Sequence, residues 1–167
     1  RNILENTREE YISLEKEIET LTLYLDIQQL RFEAGFDYDI RVSELIDPGN
    51  LSVPPMLAQP CVENSIEHGL IPKKNKGCVT ISYTLSDGLI KLEVTDNGVG
   101  RGFKAEDPET MKRKTSISTR LTEKRLEHFR KTLKEKNISY EIIDLFDDGA
   151  SSGTRVVMML PYKKIYA

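Results

Sequence analysis

Two short stretches constrain the fold and chemistry of this chain most strongly. The first covers residues 59–69 and reads Gln-Pro-Cys-Val-Glu-Asn-Ser-Ile-Glu-His-Gly. Val62 and Ile66 lie four residues apart, which predicts a helix with one buried stripe. We expect Gly69 to end this helix as a glycine C-cap. The polar edge of the helix is formed by Glu63, Asn64, Glu67 and His68.

The second stretch covers residues 96–100 and reads Asp-Asn-Gly-Val-Gly. It follows residues 90–95, in which Ile90, Leu92 and Val94 alternate with other residues and predict a strand with one inward face. Carboxylate and asparagine oxygens are hard ligands suited to Mg²⁺, and glycines allow a backbone to approach a ligand closely. No GxxxxGK[ST] motif occurs, so the two stretches together predict a nucleotide site without a P-loop.

Composition narrows the class of protein. With 167 residues, 38% hydrophobic and 31% charged, the chain has room for one globular domain with a proper core. A net charge of −3 gives no electrostatic reason to expect nucleic acid as a partner. Cys61 and Cys78 do not make a disulfide framework, so a reducing compartment is expected. No apolar run is long enough to cross a bilayer.

The chain opens at Arg1 within a long helical pattern, so we expect it to be a fragment of a longer protein. A seven-residue spacing relates Leu4, Tyr11, Ile18, Leu25 and Phe32. This seam favours packing against another helix, as in a two-fold dimer, or alternatively one amphipathic helix packed on its own domain. Ser13 is placed to cap a fresh helix within the pattern.

The remaining pattern alternates strands and helices. We expect a helix that begins at Pro54-Pro55 or, since Pro60 lies deeper, at that proline. The charged segment 101–118 resembles a loop of the length often used as a lid, and a helix follows to about Lys136. Strands are predicted over 36–42, 78–85, 89–95, 138–146 and 154–160. The hairpins and covering helices predict an α+β fold, a two-layer α/β sandwich.

Three motifs of this chain resemble motifs of one known protein family. Residues 54–60 with Glu63-Asn64 and His68-Gly69 resemble the N-box of sensor histidine kinases, and residues 96–100 resemble their G1 box. Ser152-Gly153-Thr154 resembles their glycine-threonine box. The chain is similar to the C-terminal ATP-binding catalytic domain of the LytS/YpdA-like branch, which has the GHKL, or Bergerat, fold. The resemblance implies a mixed, mostly antiparallel sheet with helices on one face, preceded by a long helix.

The same resemblance implies a division of the chain and a set of roles. Residues 1–33 would be the end of a dimerisation helix or linker, and residues 34–167 the catalytic domain. Asp96 would accept a hydrogen bond from the adenine amino group, and Asn64 would hold Mg²⁺. Glu63 would serve as a general base, and His68 would approach phosphate or ribose. The remaining implied ATP-binding positions in the boxes are Gly98, Gly100, Gly153 and Thr154.

The lid departs from the family pattern. Two glycines of the family's lid are replaced by Ser116 and Ser118, so backbone approach to phosphates at the N-terminus of a helix would be hindered. The serine hydroxyls could donate to phosphate instead. A basic side chain could close on the γ-phosphate, and the candidates are Lys112, Arg113 and Lys114. Glu67 stands where the family often has a phosphate-binding lysine.

The implied function is transfer of the ATP γ-phosphate to a histidine on an upstream dimerisation helix. Neither His68 nor His128 has the context of that acceptor, so the fragment is not self-sufficient. Expected partners are ATP, Mg²⁺, a response regulator and a second copy joined through the upstream helices. The expected location is the cytoplasmic side of a membrane-anchored bacterial sensor, with no nucleic acid bound. Two alternatives remain open: a degenerate nucleotide-binding signalling module, and another GHKL ATPase or anti-sigma serine kinase.

Overall fold

The computed structural model of this protein describes residues 10–32, 35–73, 75–101 and 108–165, and it describes the side chains of all of these except residues 108–118. In chain order the elements before the central hairpin are β1 (Ile12–Ser13), α1 (Leu14–Arg31), β2 (Phe36–Val42), β3 (Leu51–Val53) and α2 (Gln59–Asn64), which continues as the π-helical segment Ser65–Leu70. The later elements are β4 (Gly77–Ser86), β5 (Leu89–Asp96), α3 (Pro108–Leu133), β6 (Ser139–Asp147), β7 (Ala150–Leu160) and β8 (Lys163–Lys164).

The main sheet is mixed and mostly antiparallel, as expected. Within the described ranges it has five strands in the order β2-β4-β5-β7-β6. β2 runs parallel to β4, and the other neighbouring pairs are antiparallel. The parallel pair follows from the chain's path, because α2 lies in the crossover connection that joins β2 to β4. A small antiparallel sheet of order β1-β3-β8 lies apart from it.

One hydrophobic core joins the sheet to the helices. Inward residues of the central hairpin, including Ile81 and Leu92, are buried together with Leu25 of α1, Ile66 of the π-helical segment and Leu126 of α3. Alternation along β4 and β5 supplies the sheet face of this core. The predicted α+β fold, a two-layer α/β sandwich, is confirmed.

Helix α1 packs on its own domain. Ser13 accepts a hydrogen bond from the Lys16 backbone N–H at 3.2 Å, so the predicted cap is confirmed. Leu25 of the seam is buried in the shared core, together with Leu14 and Leu21 of the same helix. For the described part of the pattern, the amphipathic helix on its own domain is therefore the interpretation that the contacts favour.

Helix α2 begins at Gln59 with Pro60 in its first turn, which agrees with the predicted start at Pro60 and excludes the start at Pro54-Pro55. Two other predictions differ from the structure. Gly69 does not end this helix, because the π-helical segment continues to Leu70 and the Ile71 N–H donates to the Ile66 carbonyl at 2.9 Å. The predicted loop is wrong for residues 108–118, whose backbone is helical.

The start of the helix at Pro108 has a physical reason that apolar periodicity does not reveal. Pro108 is its first residue, where proline lacks only an N–H that has no partner inside a helix. Residues 102–107 of the predicted lid lie outside the described residues. Among the helices that are described, none combines the length and hydropathy of a membrane-spanning helix.

Candidate functional site

The carboxylate of Asp96 is buried at the end of β5, with only 3% of the residue exposed. One oxygen, Oδ1, accepts from the Gly98 N–H at 2.9 Å, and the other, Oδ2, accepts from the Ser65 hydroxyl at 3.0 Å. Burial raises the pKa of the Asp96 carboxyl above its ordinary value, although the hydrogen-bond donors and the charge of Lys73 act in the opposite direction. A carboxylate held in this way has fixed geometry and spare lone pairs with which to accept a further donor.

The end of the π-helical segment is packed directly against the loop that follows β5. The Val99 N–H donates to the Gly69 carbonyl at 3.0 Å. A Cβ atom on Gly98 would collide with the Gly69 backbone, so only glycine allows this approach. The first two motifs, which residues 70–95 separate along the chain, therefore form one continuous wall.

The third motif joins the same wall. Thr154 lies opposite Asp96 in the β5–β7 register, and its backbone N–H donates to the Asp96 carboxylate. Gly153 has φ +136°, and a Cβ there would collide with the Asp96 carbonyl oxygen. Gly100 lies beside Ser151 at the start of β7. The structure thus brings together Asp96, Gly98, Gly100, Gly153 and Thr154, which were predicted from separate parts of the sequence.

Three contacts at this wall were not predicted from the sequence. The Ser65 hydroxyl reaches Asp96, Asn97 Oδ1 accepts from the Cys78 N–H at 2.8 Å, and Lys73 Nζ donates to the Asn97 carbonyl at 2.6 Å. A signal for Ser65 was available, because it lies four residues after the buried Cys61 on the inward side of the helix. Nothing in the local sequence marks Lys73 or Asn97 as partners, since they are 24 positions apart.

The polar edge of α2 faces α1 in part. Gln59 Nε2 donates to Glu63 Oε1 at 2.9 Å. Burial, followed by the charges of Glu63 and Glu67, raises the pKa of the Tyr24 hydroxyl on α1. The carboxylates of Glu63 and Glu67 therefore lie close enough to Tyr24 for their charges to act on it.

The predicted metal ligand and its neighbour lie where the helix changes form. Asn64 is the last residue of α2, and His68 lies in the π-helical segment, half-buried. In the part of the chain that the structure describes, no group of three or more His, Cys, Asp or Glu side chains could hold a metal ion. The donor set fits an ion that takes few protein ligands and completes its shell with phosphate oxygens and water, which is the usual situation of Mg²⁺.

The lid candidates are only partly described. Arg101, directly after Gly100, donates through Nε and an Nη group to the two carboxylate oxygens of Asp144 at 2.6 and 2.7 Å, and the ion pair lowers the pKa of Asp144. The side chains of Lys112, Arg113, Lys114, Ser116 and Ser118 lie outside the described residues. Their backbone lies inside α3, at least one helical turn after its start at Pro108. The expectation that Ser116 and Ser118 flank a helix N-terminus is therefore wrong for this conformation.

Known proteins share sequence with most of this chain. LytS from Oceanobacillus iheyensis, a sensor protein, is 41% identical over 93 residues, which is 55% of this chain and 15% of LytS. LytS from Staphylococcus epidermidis is 27% identical over 163 residues, covering 98% of this chain and 27% of that protein. The sensor histidine kinase YpdA from Escherichia coli is 36% identical over 92 residues, 55% of this chain and 16% of YpdA. The chain thus spans between 15 and 27% of the length of these curated relatives.

Solved structures share the fold. The histidine kinase domain of a blue-light activated histidine kinase from Erythrobacter litoralis EL346 superposes with a TM-score of 0.58 at 14% identity, covering 90% of this chain and 61% of that one. The mycobacterial sensor histidine kinase MprB gives a TM-score of 0.54 at 13% identity, covering 91% and 97%. No protein-family model matches the chain. At these identities the structures establish the fold alone, and it is the one implied by the sequence motifs.

Proposed function

Because this chain is similar to sensor histidine kinases of the LytS and YpdA type, we propose that it belongs to them and is an ATP-binding catalytic domain that passes the γ-phosphate of ATP to a histidine. One observation carries the proposal: the buried Asp96 carboxylate, fixed by Ser65 and Gly98, lies where all three motifs meet. A P-loop is absent from the sequence, and this wall supplies another way to hold a nucleotide.

Asp96 is the residue that we propose selects adenine. When ionised, its carboxylate can only accept hydrogen bonds, and the adenine amino group is a donor. Gly98, Gly100 and Gly153 keep side chains away from this corner, and Thr154 lies beside Asp96 on the next strand. At each of these glycines a Cβ atom would lie within 2.4 Å of a protein atom, so glycine is needed for the close packing that brings the three motifs together around Asp96.

The phosphate end is assigned to the polar edge of α2. Asn64 would contribute an amide oxygen to Mg²⁺, and the bound ion would neutralise charge on the phosphates. Glu63 is the proposed general base, and its bond to Gln59 supports this by holding the carboxylate in one orientation. His68 would contact phosphate or ribose. Since phosphoryl transfer depends mainly on positioning and charge neutralisation, few residues of this kind suffice.

The lid remains a proposal from the sequence. One of Lys112, Arg113 and Lys114 would approach the γ-phosphate, with Ser116 and Ser118 as further donors. Side-chain donors of this kind can act with α3 intact, whereas backbone N–H groups inside a helix already bond to carbonyls four residues back. Arg101, paired with Asp144, would hold the residue at the start of this segment.

The partners follow from the family and are proposals for the parent protein. Residues 1–33 would end a dimerisation helix or linker, and residues 34–167 would be the catalytic domain. The acceptor histidine would lie upstream in a homodimer, and a cognate response regulator would receive the phosphoryl group. The domain would work on the cytoplasmic side of a membrane to which only upstream segments attach it.

Phosphotransfer tests the proposal directly. The chain extended upstream to include the acceptor helix is incubated with γ-labelled ATP and Mg²⁺, and acid-labile, base-stable label on the protein is measured. We expect label in the wild type and a loss of about tenfold or more in Asp96→Asn, because a buried charged hydrogen bond to the base is removed. Asp87→Asn, in the β4–β5 turn, is the matched control and should label normally. ATP binding without any labelling would favour the degenerate signalling module instead.

A further inference from the structure

A buried polar contact outside the nucleotide wall ties three elements to one peptide unit. Glu17 on α1, Met56 in the turn before α2, and Arg125 on α3 form this contact, which we call the Met56 clasp. We propose that Glu17 and Arg125 are positioning residues that hold the Met56 turn and thereby set the placement of α2 for nucleotide binding. The inference rests on the proposed function, since it concerns the helix that carries Asn64.

The clasp holds both polar groups of the Met56 residue. Both carboxylate oxygens of Glu17 accept from the Met56 N–H, each at 3.0 Å. From the other side, Arg125 Nη2 donates to the Pro55 carbonyl at 2.8 Å and Nη1 lies 3.4 Å from the Met56 carbonyl. A planar guanidinium with several donors can bridge two carbonyls in this way, whereas an ammonium group cannot do so with the same geometry.

The turn needs such support because its backbone is unusual. Met56 has φ +57°, a left-handed conformation that a residue with a side chain adopts only at a cost in free energy. Glycine would adopt it freely. The two charged side chains therefore stabilise a conformation that the sequence of the turn disfavours.

Only two residues, both buried, connect Met56 to the start of α2. Leu57 and Ala58 follow Met56, and both are 1% exposed. The Ala58 carbonyl then accepts from the N–H groups of Cys61 and Val62, at 3.0 and 3.1 Å, in the first turn of α2. A shift of the Met56 turn is consequently transmitted to the start of the helix that ends at Asn64.

The clasp also joins the two helices that flank α2 in the chain. Glu17 belongs to α1 and Arg125 to α3, the helix that continues the lid segment. Tyr11, which lies just before β1, also contacts Phe129 of α3, with ring centroids 5.9 Å apart in an edge-to-face arrangement. A displacement of α1 or α3 would therefore change the hydrogen bonds to the Met56 turn.

The charges in the clasp indicate a role in geometry. Glu17 is 5% exposed, and its burial raises the pKa of the carboxyl while the donors of the turn and the charge of Arg125 lower it. Burial lowers the pKa of Arg125 while Glu17 raises it. Each group therefore loses hydration that its partner only partly replaces, and a packed apolar pair would avoid this loss. An apolar pair would not hold the N–H and carbonyls of the turn.

The experiment measures the Kd of Mg·ATP by calorimetry in the wild-type chain and in Glu17→Gln and Arg125→Gln, with thermal melts to confirm folding. We expect each variant to bind about tenfold more weakly, because loss of a charged hydrogen bond lowers the fraction of molecules with the turn in place. The double variant should bind about as weakly as either single variant, since both act on one turn. Glu19→Gln and Lys131→Gln, exposed on the same helices, should stay within about twofold.

A glycine separates positioning from general stability. If Glu17 acts by holding Met56 in its left-handed conformation, Glu17→Gln with Met56→Gly should bind Mg·ATP several-fold more tightly than Glu17→Gln alone. Absence of this rescue would overturn the inference, as would a Kd within about twofold of wild type in folded Glu17→Gln and Arg125→Gln.

Two further results, a variant that does not fold and a wild-type chain that does not bind Mg·ATP, also have a defined meaning. If Glu17→Gln does not fold, Arg125→Lys replaces it: the charge stays but the bridge between two carbonyls is lost, and unchanged affinity would refute the positioning role. Failure of the wild-type chain to bind Mg·ATP would overturn the proposed function together with this inference. Wild-type binding that neither clasp variant weakens would overturn the inference alone.

Discussion

At the scale of single residues, Asp96 carries the most information. Its sequence context, a carboxylate directly after a strand and before two glycines, predicted a ligand position. Its partner Ser65 was not predicted, because 31 residues separate them and no local pattern relates a helix hydroxyl to a strand end. Local chemistry can thus identify which residue matters, but the contacts that orient it depend on tertiary packing.

Burial of Asp96 makes the stability of the protein depend on pH. Because its pKa is raised in the folded state, the folded protein holds the proton more tightly than the unfolded chain does. The contribution of Asp96 to the free energy of unfolding therefore falls as pH rises from about 4, the pKa of an unfolded aspartate, through the folded-state pKa. The fall cannot exceed about 1.4 kcal/mol per pH unit for one proton.

Denaturant unfolding of wild type and Asp96→Asn between about pH 4 and pH 7 measures this effect. Asparagine does not titrate, so subtracting the two curves isolates the carboxyl. We expect wild type to lose stability relative to Asp96→Asn as pH rises, and then to level off. A difference that grows in favour of wild type over this range would show that the carboxyl is stabilised in its charged form.

At the scale of elements, the five strands of the main sheet were predicted, whereas the three short strands of the small sheet were missed and the helices were predicted less closely. The hairpin predicted over 78–85 and 89–95 was observed as Gly77–Ser86 and Leu89–Asp96, because alternation with a period of two is a local signal. The π-helical segment was missed, since the Gly69 carbonyl bonds to Val99 of a distant loop. The first part of α3 was missed because its sequence has little apolar periodicity.

The contact between the π-helical segment and the loop after β5 can be tested through Gly98. Gly98→Ala places a methyl group against the Gly69 backbone, which cannot rotate away as a side chain would. We expect a loss of about 1–3 kcal/mol in unfolding free energy, measured by denaturant titration, together with weaker Mg·ATP binding.

The matched control for that substitution is Gly49→Ala, where the nearest atom to the new Cβ is a side-chain oxygen of Asp47 at 3.6 Å. Its stability should change by less than about 0.5 kcal/mol. Equal effects of the two substitutions would show that the approach of Gly98 to Gly69 does not contribute specifically to the fold.

At the scale of the whole molecule, one core holds the sheet, α1 and α3, and the three motifs meet at one end of its central strands. The order of elements and the fold class followed from the sequence, because hairpins and amphipathic helices leave few ways to bury one continuous core. The Met56 clasp was not predicted, because the sequence alone does not distinguish the buried Glu17 from the exposed glutamates of the same helix. This clasp gives the domain a route by which its flanking helices could influence nucleotide binding.

The most direct test of the account is a calorimetric titration of this chain with Mg·ATP and, in parallel, Mg·GTP. If Asp96 binds the base as proposed, adenine would present an amino donor to its carboxylate, whereas guanine would present a carbonyl oxygen at the corresponding position. The account predicts saturable binding of one ATP and binding of GTP that is weaker by about tenfold or more, because an acceptor would face an acceptor. Equal binding of the two nucleotides, or no saturable binding of ATP, would contradict it.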